Sequence, residues 1–452
     1  MSSLQRKVRS HVLAAAPLAP VAPVAPVAPL AVLAMLGAML GALLCALPAT
    51  AGNGHFLHGV GAVNDAMGGA GVALPNDTLG ALNLNPALLT ELDGSGFELG
   101  AEYAKAGNAV TSQVGPFSGR TQEAGRTALI PAFGFTRHPP ASPFAYGVGF
   151  LGLAGFGVDY PQDPHNPILS PQPQGFGRVY ANYQFLKVPV VGALRLSPEW
   201  SVGVAFVTGR SALTADPAGF ATPDCGPNGC FYPRVNTDSA FGYGGQIGVH
   251  YRPSHVWAFG ASYTTEQRFQ TFEWNSTHAN PALPNFGTAE RISFRLDNPA
   301  TAVAGIGFTP TPALKFALDG KWIDYGHTTG FSGFGIAPDG HALGLGWRSI
   351  TVFDAGGQLQ ATPWLTLRLG YNHAENAIPD KSAFFNVASP AIWGNHVTAG
   401  AGVRVDSALT LNLAYYYALK TRITGPLYPV PGGVVSDEQS LRSLIATFSF
   451  KL

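Results

Sequence analysis

The last residues of the chain, Ala446-Thr447-Phe448-Ser449-Phe450-Lys451-Leu452, alternate strictly. Ala446, Phe448, Phe450 and Leu452 are apolar, and Thr447, Ser449 and Lys451 between them are polar. Successive side chains of an extended strand point to opposite faces, so this segment has one apolar and one polar face. The pattern recurs upstream. Leu365, Leu367, Leu369 and Tyr371 oppose Thr366, Arg368 and Gly370; Leu314, Phe316, Leu318 and Trp322 oppose Lys315, Asp319 and Lys321. Val397, Ala399, Ala401, Val403 and Val405 oppose Thr398, Arg404 and Asp406, and Ile247, Val249 and Tyr251 oppose Gln246, His250 and Arg252. A Lys or Arg facing lipid at mid-membrane costs roughly 2–4 kcal/mol. The charged faces are therefore assigned to a polar lumen and the apolar faces to lipid. The expected fold is all-β, a transmembrane antiparallel barrel.

The N-terminus carries an export pattern. Arg6, Lys7 and Arg9 form a basic start, Ala31 to Leu47 is uncharged and apolar, and Ala49-Thr50-Ala51 is a small-x-small cleavage site. Residues 1–51 read as a cleaved signal peptide. Its Pro-rich stretch, Ala19 to Pro29, makes it long enough to question the start codon. The rivals are an uncleaved anchor, for which about 17 apolar residues is marginal, and lipidation at Cys45, which lacks the expected small residue before it. Losing 51 of 452 residues leaves 401 and removes three bases from a chain with 26 basic and 26 acidic residues, for a net charge of −3. That balance gives no footprint for nucleic acid. Charged residues are only 12% of the chain, and no second apolar run is long enough for a helical span, which suits a barrel.

Short turns fall near 138–141, 197–199, 252–254, 309–312, 361–363 and 406–407, separated by long polar or Gly/Pro-rich stretches near 107–124, 155–180, 214–238, 274–287, 327–348, 374–392 and 421–439. Six turns and seven loops make about fourteen strands over 95–452, with both ends periplasmic. The eighth strand is drawn through 289–309, across Asn298-Pro299. Trp200, Trp257, Trp322, Trp364 and Tyr415 to Tyr417 suit interfacial girdles. Residues 52–94, Gly/Ala-rich with short apolar pieces, suit a plug inside the lumen. Cys225 and Cys230 in Cys-Gly-Pro-Asn-Gly-Cys read as a loop disulfide of an oxidising compartment, and no metal or cofactor is expected. Hydrolase-elbow, metalloprotease and phosphate-loop motifs are missing, so the chain is not read as an enzyme.

Several motifs resemble the FadL/TodX family of outer-membrane transporters for long-chain fatty acids and other hydrophobic compounds. Met67-Gly68-Gly69-Ala70 precedes Asn76-Asp77 and then Asn85-Pro86-Ala87, similar to the family's N-terminal hatch. Lys321-Trp322-Ile323-Asp324-Tyr325 and Arg368-Leu369-Gly370-Tyr371 with Ile378-Pro379-Asp380 resemble later family stretches. Ala377 stands where a Pro is usual, and Leu452 where Phe is common. The resemblance covers essentially 52–452. It implies a Gram-negative outer-membrane barrel, monomeric, with outer-membrane lipid and the barrel-assembly machinery as partners. It implies that ligand lands among the outer loops, passes a pocket near the mature N-terminus, and leaves sideways past a moving hatch at a kinked strand.

Asn85, Pro86, Ala87, Met67, Gly68 and Gly69 are the hatch candidates; the bland alternative for Asn-Pro is a simple turn. His55 and Phe56, near the mature start, are ligand candidates, as are the inward cations Lys187, Arg195, Lys315, Lys321, Arg368 and Arg404. Those cations could instead pair with lumenal acids such as Asp319 and Asp406. Gly147, Gly149, Gly152, Gly155 and Gly157 mark the third strand as the lateral-gate candidate, with barrel curvature as the alternative. Phe156, Ile168, Leu169 and Phe176 are the landing-groove candidates. The expected cargo is a long-chain fatty acid. The alternatives are an aromatic hydrocarbon or, in a different class, a general porin or adhesin.

Overall fold

The computed structural model describes residues 53–123 and 125–452; the signal peptide, its cleavage site and Cys45 lie outside the described residues. The wall of the molecule is built from β1 Gly94–Val114, β2 Thr127–His138, β3 Phe144–Tyr160, β4 Val179–Arg195, β5 Trp200–Asp216, β6 Val235–Tyr251 and β7 Trp257–Thr264. It continues through β8 Thr301–Thr311, β9 Leu314–Ile323, β10 Ile350–Thr362, β11 Leu365–Ala374, β12 Asn395–Arg404, β13 Leu409–Pro426 and β14 Val434–Lys451. Each strand pairs antiparallel with the next, and β14 closes on β1 with Phe450 opposite Phe97, giving a closed fourteen-stranded barrel. Closure gives every wall strand a neighbour on both sides over at least part of its length, as a bilayer demands.

The period-two reading holds on the wall. Leu318 is 60% exposed and Phe353 59% exposed on the outside, whereas their neighbours Asp319 and Asp354 are buried inside. Trp200, Trp257, Trp322 and Trp364 face outward, as do Tyr415 and Tyr417, but Tyr416 turns inward and donates to Glu102 at 2.6 Å.

Three boundaries differ from the sequence reading. The first loop is shorter than 107–124, because Gly107–Gln113 pairs with β14 and Ala109–Val114 turns back into a hairpin with Phe117–Gln122. Residues 289–294 do not belong to the eighth barrel strand; they pair with Phe272–Thr277 in an outer hairpin. The break falls at Asn298-Pro299, where proline has no N–H for a ladder and the Asn298 N–H goes to the Gln267 carbonyl. The seventh loop is shorter than 421–439, because Thr421–Pro426 pairs with Val434–Gln439 and extends the β13–β14 hairpin, with β1 running alongside it to Gln113.

Residues 53–93 lie within the barrel. They contain α1 Gly61–Ala66, α2 Thr78–Leu84 and a 3-10 turn Pro86–Glu91. Asp77 caps α2 by accepting from the Gly80 N–H at 3.1 Å, and Asn85 caps the following turn through the Ala87 N–H at 3.0 Å, with Pro86 at its first position. The segment is tied to the wall on several sides. The Gly71 and Val72 N–H groups donate to the Asp319 carboxylate on β9 at 2.7 and 2.9 Å, and the Leu79 N–H to Glu98 on β1 at 3.0 Å. The Ala62 N–H donates to Thr447 on β14 at 3.0 Å, and Thr398 on β12 donates to the Ala66 carbonyl at 3.0 Å. Gly68 and Gly69 have φ of +69° and +85°, and Gly370 faces the Gly68 N–H so closely that no Cβ fits between segment and wall.

Two outcomes are expected. Leu318→Lys puts an ammonium on the lipid face and should lower barrel stability by about 2–4 kcal/mol, measured by urea unfolding in vesicles. Asn85 is fully buried and donates to the Val72 and Val249 carbonyls at 2.9 and 3.0 Å, so Asn85→Ala leaves those acceptors bare. That change should loosen residues 53–93 by about 1–3 kcal/mol and speed their hydrogen exchange while the strands keep their protection.

Candidate functional site

The ladder between β2 and β3 runs from Arg137 opposite Tyr146 to Ala132 opposite Leu151 and stops there. Past that point Thr127–Pro131 pairs with β1 alone, and β3 pairs with β4 alone. Pro131, which has no N–H, is the first β2 residue beyond the ladder. On β3 a bulge between Gly152 and Ala154 leaves Leu153 unmatched. The wall therefore has a side opening between β2 and β3.

The exposed edge of β3 is partly covered from inside. Phe56 forms an antiparallel bridge with Ala154. The Leu57 N–H donates to the Leu153 carbonyl at 2.9 Å, and the Gly155 N–H to the His55 carbonyl at 2.9 Å. Arg126 donates to the Val158 and Ala181 carbonyls. Of the glycines singled out on β3, Gly152, Gly155 and Gly157 lie at the opening. Gly147 and Gly149 lie in the paired half, where their missing side chains make room for Leu82 of α2.

A chamber of about 480 Å³ sits behind the opening, lined by His55, Phe56, Leu57, Phe156, Tyr183 and Trp393 among others. Phe156 is shared with an apolar cleft of about 120 Å³ among the outer loops. That cleft is walled by Phe176, Phe220, Phe294, Phe384 and Phe385, and no Lys, Arg, Asp or Glu lines it. Ile168 and Leu169 do not join the cleft; they are buried in a 3-10 turn whose Ile168 N–H donates to Ser112 on β1. Phe56 is shared with a third, inner cavity of about 80 Å³, lined by His58, Lys187, Gln246, Ser262 and Lys321. Cleft, side chamber and inner cavity thus meet at two phenylalanines.

His55 is held by a ring of side chains from distant loops. Its Nδ1 lies 2.9 Å from the Tyr325 hydroxyl and its Nε2 2.9 Å from the Asn298 Oδ1, and its ring stacks on Phe331 at 4.9 Å. Burial lowers its pKa to about 4, against a smaller opposing effect of the Asn298 hydrogen bond, so His55 is neutral at pH 7 and is not a cation for an anionic ligand. Tyr325 ends the Lys321–Tyr325 stretch noted for its family resemblance and Asn298 precedes Pro299, but nothing in the sequence marks Tyr183, Phe331 or Trp347 or brings the five together.

The structure separates the lumenal cations. Lys321 pairs with Asp354 at 2.6 Å, and Arg195 with Glu91 at 3.2 Å. Arg368 donates to Gln358 at 2.7 Å and Asn412 at 3.1 Å, and Lys315 lies in the same cross-strand row, opposite Gln358. Arg404 is exposed at the end of β12. Asp319 and Asp406 pair with none of them: Asp319 accepts N–H groups of residues 71 and 72, and Asp406 those of Ala408 and Leu409. Lys187, like Arg368, is buried with amide partners, and of the two it is the one that lines the inner cavity. It is 2% exposed and donates to the Asn83 carbonyl and side chain, both at 3.2 Å, and to Gln246 at 3.5 Å. Among the described residues it has no carboxylate partner. In the outer loops Cys225 and Cys230 form a disulfide.

Solved structures share this architecture. The P. putida toluene transporter TodX aligns with a TM-score of 0.68 at 19% identity, covering 88% of this chain and 99% of that one. A Pseudomonas aeruginosa FadL homologue aligns at 0.68 and 16% identity, and the Ralstonia pickettii toluene transporter TbuX at 0.63 and 18%, each covering 88% of this chain and 99% of the other. A search of curated protein sequences found no match. The family model for outer membrane protein transport proteins (OMPP1/FadL/TodX) matches residues 43–424. With that match spanning most of a closed fourteen-stranded barrel, the chain belongs to the OMPP1/FadL/TodX family of outer-membrane transport proteins for hydrophobic compounds.

Proposed function

We propose that this protein imports long-chain fatty acids, with residues 53–93 as a hatch and the β2–β3 opening as a lateral exit. The observation that carries the cargo assignment is Lys187. A buried ammonium that has only amide oxygens for partners is poorly compensated, and a ligand carboxylate reaching the inner cavity would complete the pair. The apolar cleft suits the tail, whose burial yields about 0.8 kcal/mol per methylene. From the side chamber the tail passes into lipid without entering periplasmic water. Movement of the hatch follows if ligand binds the open arrangement better than the closed one. Because residues 55–57 hydrogen-bond to β3 at the opening, a shift of the hatch and a change at the exit are mechanically joined.

A second reading, an aromatic hydrocarbon cargo, is favoured by the cleft itself, which is walled by phenylalanines and carries no charge. It also agrees with the toluene transporters among the solved likenesses. Transport rather than catalysis is the activity of the family.

Uptake of radiolabelled oleate and toluene by a host lacking its own transporters separates the readings. Lys187→Met removes the ammonium and keeps most of the stem. It should lower oleate uptake at limiting concentration by about tenfold or more, as expected for one charge-assisted contact, and leave toluene uptake unchanged. Equal toluene uptake with no oleate uptake by wild type would move the protein to the hydrocarbon reading. Deleting Leu153 removes the unmatched residue of the β3–β4 bulge and the carbonyl that holds Leu57 at the opening, and so reshapes the β3 lip. With the barrel assembled, uptake of the transported cargo should fall about tenfold; unchanged uptake would reject the lateral exit.

A further inference from the structure

The outer end of the β13–β14–β1 wall carries a dense basic patch that transport does not use. Lys420 and Arg422 on β13, Arg442 on β14, Lys105 on β1 and Arg120 on the hairpin that continues β1 are all exposed. One carboxylate, Glu438 on β14, serves three of them, at 2.8 Å from Arg120, 2.7 Å from Lys420 and 2.9 Å from Arg422. Lys105 and Arg442 form no ion pair among the described residues, although they sit directly opposite each other in the ladder. Like charges opposite one another on a sheet face are destabilising. This excess of positive charge arises in a chain whose basic and acidic residues are equal in number, so it is a local feature and not a general basicity.

Its height on the wall identifies its partner. Arg442 is flanked by Tyr417 on one side and Lys105 on the other. The next outward row toward the periplasm is Tyr415, Leu444, Tyr103 and Leu129, all exposed and apolar or aromatic. Two residues along a strand is about 7 Å. The cations therefore begin one row above the aromatic edge of the lipid-facing band, at the level of the outer-leaflet headgroups. Their strands face lipid, not the lumen, so neither cargo in the cleft nor an ion in the cavities can reach them.

We propose that this patch binds the phosphate groups of a phosphorylated glycolipid of the outer leaflet. Arg forks and Lys ammoniums are well matched to phosphate oxygens, and the row of Tyr103, Leu444 and Tyr415 below receives the acyl chains. Lys105 and Arg442 supply the contacts nearest the hydrocarbon; Lys420, Arg422 and Arg120 reach the upper phosphate, sharing Glu438 with it. The bound anion relieves the repulsion between Lys105 and Arg442. Because Lys105 lies opposite Thr127 on β2, the lipid is held beside the lateral opening.

The test is equilibrium binding by native mass spectrometry of the full barrel in neutral detergent, with lipid A bisphosphate and its dephosphorylated form as probes. Wild type should bind the bisphosphate about tenfold or more tightly than the dephosphorylated lipid, with marked salt dependence. The triple variant Lys105→Gln/Lys420→Gln/Arg442→Gln, shown to be folded by its heat-modifiable mobility, should bind both lipids at the lower level. Equal affinity of wild type for the two lipids, or an unweakened variant, would overturn the proposal. So would displacement of lipid A by millimolar inorganic phosphate, which would mark the patch as a free-anion site. Should the triple variant fail to assemble, the wild-type comparison of the two lipids decides alone.

Discussion

A backbone polar group facing hydrocarbon must find its partner within the protein. The ladder of fourteen strands meets that demand around the wall but stops short between β2 and β3. There the strands part, and the Leu153 carbonyl and Gly155 N–H are satisfied by residues 55–57 of the N-terminal segment. The same residues thus close a defect in the wall and form part of the lining of the side chamber and inner cavity. A barrel closed on every edge would have no side opening, and a defect left bare would be costly in lipid. Residues 55–57 pair part of the β3 edge from inside, so the break in the wall is lined by hydrogen-bonded backbone.

The interior follows a second constraint, that lumenal charges need partners once the lumen is filled. Asp319 and Glu98 on the wall accept N–H groups of the N-terminal segment, while Lys321, Lys187 and Arg195 donate to its carbonyls, so acids and cations of the wall both hold it. Lys321 and Arg195 are neutralised by Asp354 and Glu91. The result is a polar N-terminal segment tied to the wall below and an apolar, uncharged cleft above. Lys187 is the cation left at the boundary of the two without a carboxylate. On the proposed reading, hydrophobic burial would draw a tail into the cleft, and Lys187, held by amide oxygens, would meet the headgroup.

The strands were legible because their faces are set by a local rule: a charged side chain cannot point at lipid, so alternation alone orients Leu318 outward and Asp319 inward. The eighth strand was misdrawn because residues 289–294 carry strand-like side chains, yet pair with 272–277 in an outer hairpin that no local pattern distinguishes from wall. The loop at 421–439 was overdrawn for the opposite reason, since polar residues there still pair above the membrane, where polarity carries no cost. The N-terminal motif around Asn85 was visible because caps and Asn-Pro turns are short-range. The ring around His55 was not: Tyr183, Asn298, Tyr325 and Phe331 are separated along the chain and meet only in the fold. Nor does alternation tell Lys187 from Lys321, because both face inward and only their neighbours differ. The glycines of β3 divide in the same way, with Gly147 and Gly149 giving clearance to Leu82 and Gly152 and Gly155 lining the opening.

The proposed route takes cargo out through the wall and not along the barrel axis. Photocrosslinking with a diazirine-bearing fatty acid in intact outer membranes, read by peptide mass spectrometry, tests it directly. The account predicts labelling of the cleft phenylalanines, of the inner cavity around Lys187, and of both lips of the opening, Thr127–Pro131 and Gly152–Gly157. Labelling that instead runs down through residues 61–91 to the turns at 312–313 and 363–364, with the β2–β3 lips unmarked, would contradict it.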